Sequence, residues 1–112
     1  SVAAGGMKRD PRLAGSIAAG LITPRRGGLT CLIRQGLGGG GVGGSDTDCR
    51  GALAWAFVGL KLVIERGGAA GLAAALFHRD EMGGAEGATV IAIASGGNVD
   101  PAMFIQALQD HA

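Results

Sequence analysis

Glycine constrains this chain more than any other feature. It supplies 23 of the 112 residues, against a usual share of roughly 7%. A glycine inside a helix or strand costs about 0.5–1 kcal/mol relative to alanine, because it loses the most backbone freedom on folding. About ten such placements would cost roughly 5–10 kcal/mol, comparable with the whole stability of a small domain. The composition therefore argues against independent folding. With one Trp, three Phe and no Tyr, any core must be assembled from Ala, Val, Leu and Ile.

The length fits one domain or a piece of one. A formal net charge of +1 gives no reason to expect nucleic acid or an acidic membrane surface as partner. The longest apolar stretch, Ala52 to Leu60, is broken at Lys61 and falls far short of the roughly 18 residues that span a bilayer. Ser1 to Lys8 lacks the basic-then-apolar layout of a secretion signal. A soluble cytoplasmic protein is the expectation. Cys31 and Cys49 form neither a disulfide framework nor a zinc-ligand spacing and are expected as buried, reduced thiols. His78 and His111 are isolated in sequence and read as surface residues, so no metal site is expected.

Residues 1–44 read as loop and glycine-rich chain, and 45–112 as helix, helix, strand and helix. Ser1 to Arg26 sustains no helical or strand period. Leu29 to Leu37 is apolar but too short for periodicity to assign. Gly36 to Gly44 has the composition of a flexible linker. It matches a dinucleotide fingerprint through Gly36, Gly38 and Gly41, but Val42-Gly43-Gly44 separates it from the next helix. So glycine-rich a run matches such patterns by chance. Ser45 and Asp48 form a capping-box pattern. Leu53, Phe57, Leu60 and Ile64 then trace one apolar helical stripe. Ala69 to Phe77 is alanine-rich and helix-prone.

Ala88 to Ala94 is apolar at both alternating sets of positions, as in a strand buried on both faces of a parallel sheet. Ser95-Gly96-Gly97-Asn98 breaks it. Asp100 as N-cap and Pro101 at the first helical position open a helix whose Met103, Phe104, Ala107 and Leu108 share a face. This order predicts an α/β protein in which the other strands come from elsewhere. In open α/β sheets ligands bind beyond the carboxyl ends of strands, so Ser95-Gly96-Gly97-Asn98 is the candidate site. The alternative at this point is a simple strand-to-helix turn.

Four blocks give the site an identity. Thr89 to Pro101, TVIAIASGGNVDP, closely resembles the ending of the threonine dehydratase and serine racemase family. Leu60 to Glu65, followed by Gly67 to Leu72, resembles its KLVVEPGGAAGLAA segment. Ser16 to Leu21 resembles SIADGL, and Leu29-Thr30 falls where the family has an LTFPI-like stretch. The blocks keep the family's order and spacing over nearly the whole chain, from Met7 to Leu108.

The resemblance implies the C-terminal segment of an open twisted sheet of the tryptophan-synthase-β-like, fold type II pyridoxal-phosphate enzymes. It implies pyridoxal phosphate as cofactor and an amino acid as substrate. The reaction implied is dehydration and deamination of threonine or serine to a 2-oxo acid, with racemisation as its close relative. Ser95 inherits the hydrogen bond to the pyridine nitrogen, Gly96 the adjoining cofactor contact, and Glu65 a place beside the ring.

Departures accompany it. Ala19 and Arg66 stand where the family has Asp and Pro. Ala4-Gly5-Gly6 replaces an Ala-Asp-Asp segment whose last Asp helps bind a divalent ion in some members, and the glycine run ending at Gly44 replaces a VDDVVTV strand. The cofactor chemistry needs a lysine, which the family carries in a Ser-x-Lys-x-Arg context. Neither Lys8 nor Lys61 has it, so no catalytic residue is assigned and activity of this segment alone is not expected. Its expected partner is a missing N-terminal half or a second copy in a homo-oligomer. The competing expectation is a non-catalytic remnant or association module that docks to a partner chain.

Overall fold

A computed structural model gives the fold and describes residues 27–111. The readings placed on Ser1 to Arg26, among them those on Ala4-Gly5-Gly6, Lys8 and Ser16 to Leu21, lie outside the described residues. Among the described residues five α-helices form: α1 (Gly28–Leu37), α2 (Asp46–Trp55), α3 (Ala70–Phe77), α4 (Arg79–Met82) and α5 (Pro101–Asp110). Stretch 29–37, which periodicity left unassigned, is thus helical. No regular structure follows it from residue 38 to residue 45, where the glycines lie.

Helix α2 starts where its capping chemistry requires. The Asp48 amide donates to Ser45 Oγ at 3.1 Å, and the Ser45 amide donates back to Asp48 Oδ2 at 2.7 Å. Two otherwise orphaned donors are satisfied reciprocally. At the other end the helix does not continue to Ile64. It widens into a π-helical turn over Ala56–Leu60 and stops at Lys61, which adopts the left-handed conformation with φ 61° and ψ 32°. The expected single stripe is corrected accordingly. Leu53 and Ile64 are buried at 0% and 5% exposure, but Phe57 and Leu60 keep 38% and 49%. Changing the helical pitch at residue 56 rotates the later positions off the face that Leu53 begins.

The core consists of small side chains: Ala52, Leu53, Ala56, Ile64, Ala69, Ala73 and Ala107, with Leu72, Leu76, Val99 and Phe104 packed around them. Helix α2 is its centre and contacts both α3 and α5. Alanine faces allow this close approach, and Gly51 carries it further, since a Cβ there would lie 2.9 Å from His111 Nε2 and 3.1 Å from the Phe77 ring. Phe57 and Phe104 meet edge to face, with ring centroids 5.3 Å apart. On α5 the expected face holds: Ala107 is buried, and Met103, Phe104 and Leu108 are half-buried.

The expected strand at Ala88–Ala94 does not form, and no strand occurs among the described residues. A strand needs a neighbour to take its amides and carbonyls. Without one the segment lies open, with Val90, Ile91 and Ile93 exposed at 48%, 87% and 78%. Leu29, Leu32, Ile33 and Leu37 of α1 are exposed too, and α1 packs on none of the other described helices. Cys31 and Cys49 are buried free thiols, as expected.

Candidate site where Glu65 meets Ser95-Gly96

Two irregular segments, one on either side of α3 and α4 in sequence, lie against each other. The Glu65 amide donates to the Gly96 carbonyl at 2.8 Å. Gly96 has φ +71°, a conformation that L side chains rarely adopt, and its Cα faces the Glu65 side chain so closely that a Cβ would lie 2.7 Å from Oε1. Gly68 is pressed onto the Ser95 backbone, where a Cβ would collide with the Ser95 carbonyl. Gly97 faces the Val63 carbonyl, and Gly71 faces the backbone of Ile93, each with 3.6 Å left for a Cβ. Glycine at 68 and 96 is therefore a spatial requirement of this crossing.

All three sequence-predicted site residues are brought together here. Ser95 is exposed, Glu65 is half-buried, and Gly96 joins them. Ser95 follows directly on the open segment 88–94, and its exposed hydroxyl makes no hydrogen bond to another described residue. Immediately beyond, the Val99 amide turns back to the Gly97 carbonyl at 3.0 Å. Asp100 Oδ1 then accepts from the Met103 amide at 2.9 Å, which starts α5 under Pro101. The turn is thus held between the Glu65 segment and a capped helix. Lys61 is exposed, and its Nζ donates to the Val58 carbonyl at 2.7 Å.

Sequence reasoning missed a second cluster. His78, expected as an isolated surface residue, sits at the α3–α4 junction with its side chain 21% exposed. Its Nδ1 lies 2.7 Å from Glu81 Oε1, and its Nε2 lies 3.1 Å from Asp48 Oδ2. These bonds hold its basicity above the ordinary histidine value, Glu81 first and Asp48 second. The Asp48 carboxyl is pulled down to about 2, mainly by the Ser45 backbone and side chain and then by His78. Burial, with Asp46 and Asp48 nearby, pushes the Cys49 thiol up. The three-residue step from His78 to Glu81 could have signalled half of this; the contact to Asp48, thirty positions away, leaves no local trace. The second histidine, His111, is exposed as expected. No cluster suited to a metal ion occurs among the described residues, and none of their helices is long and apolar enough to cross a membrane.

No protein-family model matches the chain, and no curated protein sequence does. Among solved structures, the structure of maize serine racemase matches all of this chain at 33% identity with a TM-score of 0.81, and the match covers 35% of that protein. The chain has a serine-racemase-like fold and spans about a third of the length of that neighbour.

Proposed function

We propose that this chain is the C-terminal part of a pyridoxal-phosphate-dependent enzyme of fold type II that removes water from threonine or serine and deaminates the product to a 2-oxo acid. The serine-racemase-like fold is the premise. The observation that carries the reading is the packing of Glu65 on Gly96 beside an exposed Ser95 hydroxyl.

These residues fit one edge of the cofactor. Gly68 and Gly96 bring two backbones together with no side chain between them, leaving the Ser95 hydroxyl open to a planar ligand. When bound, the pyridine ring supplies the electron sink for breaking a bond at the substrate Cα. Ser95 would hold the ring nitrogen through a neutral hydroxyl, which does not force a proton onto it as a carboxylate would. That moderates the sink and favours loss of a β-hydroxyl. Glu65 buttresses Gly96 and so fixes the backbone that carries Ser95. The tethering lysine is not among these residues and belongs to a Ser-x-Lys-x-Arg segment elsewhere in the enzyme.

Two further readings have an observation each. Racemisation is favoured by the neighbour, and differs in returning a proton to Cα where dehydration expels the hydroxyl. Association without catalysis is favoured by the exposed apolar residues of α1 and of segment 88–94.

The test is to express the whole reading frame that contains this segment, and to measure bound cofactor by its absorption and turnover of L-serine and L-threonine. Release of ammonia and a 2-oxo acid supports dehydration, and D-serine in its place supports racemisation. Ser95→Asp should force a proton onto the ring nitrogen, shift the cofactor's absorption and lower elimination by about tenfold or more, roughly 1.4 kcal/mol or more in the barrier. Unchanged spectra and turnover remove Ser95 from this role. A reading frame without the lysine segment overturns the enzymatic proposal and leaves association.

A further inference from the structure

The Asp48–His78–Glu81 cluster lies outside the cofactor edge, and the proposed reaction gives it no task. It joins three parts of the fold. Asp48 belongs to the capping box of α2, where its Oδ2 already accepts from the Ser45 amide and Ser45 Oγ, at 2.7 and 2.8 Å. His78 ends α3 and begins α4, and its carbonyl accepts from the Glu81 and Met82 amides at 3.1 and 3.2 Å. Glu81 lies within α4. From Met82 the chain passes through Gly83 and Gly84, both at positive φ, into the open segment 88–94 and on to Ser95.

Both ring nitrogens of His78 face carboxylate oxygens. A protonated imidazole donates from both and satisfies both carboxylates, whereas a neutral one carries a single N–H. Its other nitrogen then presents a lone pair to an anionic oxygen. We propose that His78 is a proton-operated latch that clamps α4, and with it the start of the segment leading to Ser95, onto the N-terminus of α2, closed when the ring is protonated and released when it is neutral.

The charged groups around the ring favour its protonated form. Asp48 faces it from α2, and Glu81 from α4. Helix α3 carries no titratable side chain. Arg79 and Asp80 are exposed and make no bond to the ring. On α5, Asp110 lies 4.0 Å from Arg50, and His111 lies over Gly51. Among the described residues no cation opposes protonation at close range, and two anions favour it.

The direction with pH follows. A histidine whose folded pKa is raised contributes stability that is complete below its unfolded value, near 6.5, and is lost as pH rises through the folded value. The latch is closed at mildly acidic pH and opens on the alkaline side.

The experiment uses the protein expressed from the whole reading frame that contains this chain. The His78 ring protons are titrated by NMR, and amide exchange at Glu81 and Met82 is followed across the same pH range, corrected for intrinsic base catalysis. We expect a midpoint above 6.5 that falls in Glu81→Gln and in Asp48→Asn, and a loss of amide protection on passing through it. Glu81 is 59% exposed, so Glu81→Gln leaves the fold in place even if Asp48→Asn, which also disturbs the cap, does not. A midpoint at or below 6.5, a midpoint that Glu81→Gln leaves unmoved, or protection indifferent to pH each overturns the latch. None of these outcomes depends on the cofactor.

Discussion

At the scale of single residues, glycine does opposite things at neighbouring positions. Gly68 and Gly71 are three apart, yet a Cβ at Gly68 would collide with the Ser95 carbonyl while one at Gly71 has 3.6 Å. The Ser95 carbonyl is backbone and cannot swing away. Gly68→Ala should therefore destabilise by about 3 kcal/mol, in the range of overpacked sites. Gly71→Ala lies inside α3 and should stabilise by about 0.5–1 kcal/mol through the lost glycine penalty. Denaturant unfolding of the two variants separates them; equal effects would show that the crossing of Glu65 and Ser95 is looser than described. A composition that looks uniformly unfavourable thus includes positions where no other residue fits.

At the scale of elements, local chemistry predicted helix starts well and helix ends poorly. Ser45 and Asp48 begin α2, and Asp100 and Pro101 begin α5, as read from the sequence. Both starts rest on side chains that reach their own backbone within three residues. Ser45→Ala removes the acceptor of the Asp48 amide and should cost about 1 kcal/mol, measured as a lower denaturation midpoint at unchanged slope. A midpoint equal to the wild type's would mean that packing of α2, not its cap, decides where the helix begins. The end of α2 departs from a single stripe at the π turn Ala56–Leu60 and the left-handed Lys61, where Phe57 packs edge to face on Phe104 of α5. Periodicity assumes a constant pitch and has no means of registering that change.

At the scale of the whole molecule, the described residues bury a small alanine-centred core and leave much apolar surface open. Leu29, Leu37, Ile91 and Ile93 are 74%, 88%, 87% and 78% exposed. Apolar area of this kind marks a surface that associates. The isolated chain should therefore bind a hydrophobic dye strongly and sediment above its monomer mass. Ile91→Lys with Ile93→Lys should reduce both signals, whereas a monomer without dye binding would show that these side chains find cover within the chain. The same surface explains the missing strand. Segment 88–94 has a buried strand's sequence, but ladder hydrogen bonds take two strands and the described residues supply none.

Sequence by itself determined the starts of α2 and α5 and the apolar face of α5. Each depends on interactions between near neighbours or on a motif with its own local geometry. Tertiary structure alone decided that Glu65 touches Gly96, that Gly68 must lack a side chain, and that His78 reaches Asp48 across thirty positions. Those contacts depend on where α3 turns the chain back, and no residue signals in advance what will face it once the core has closed.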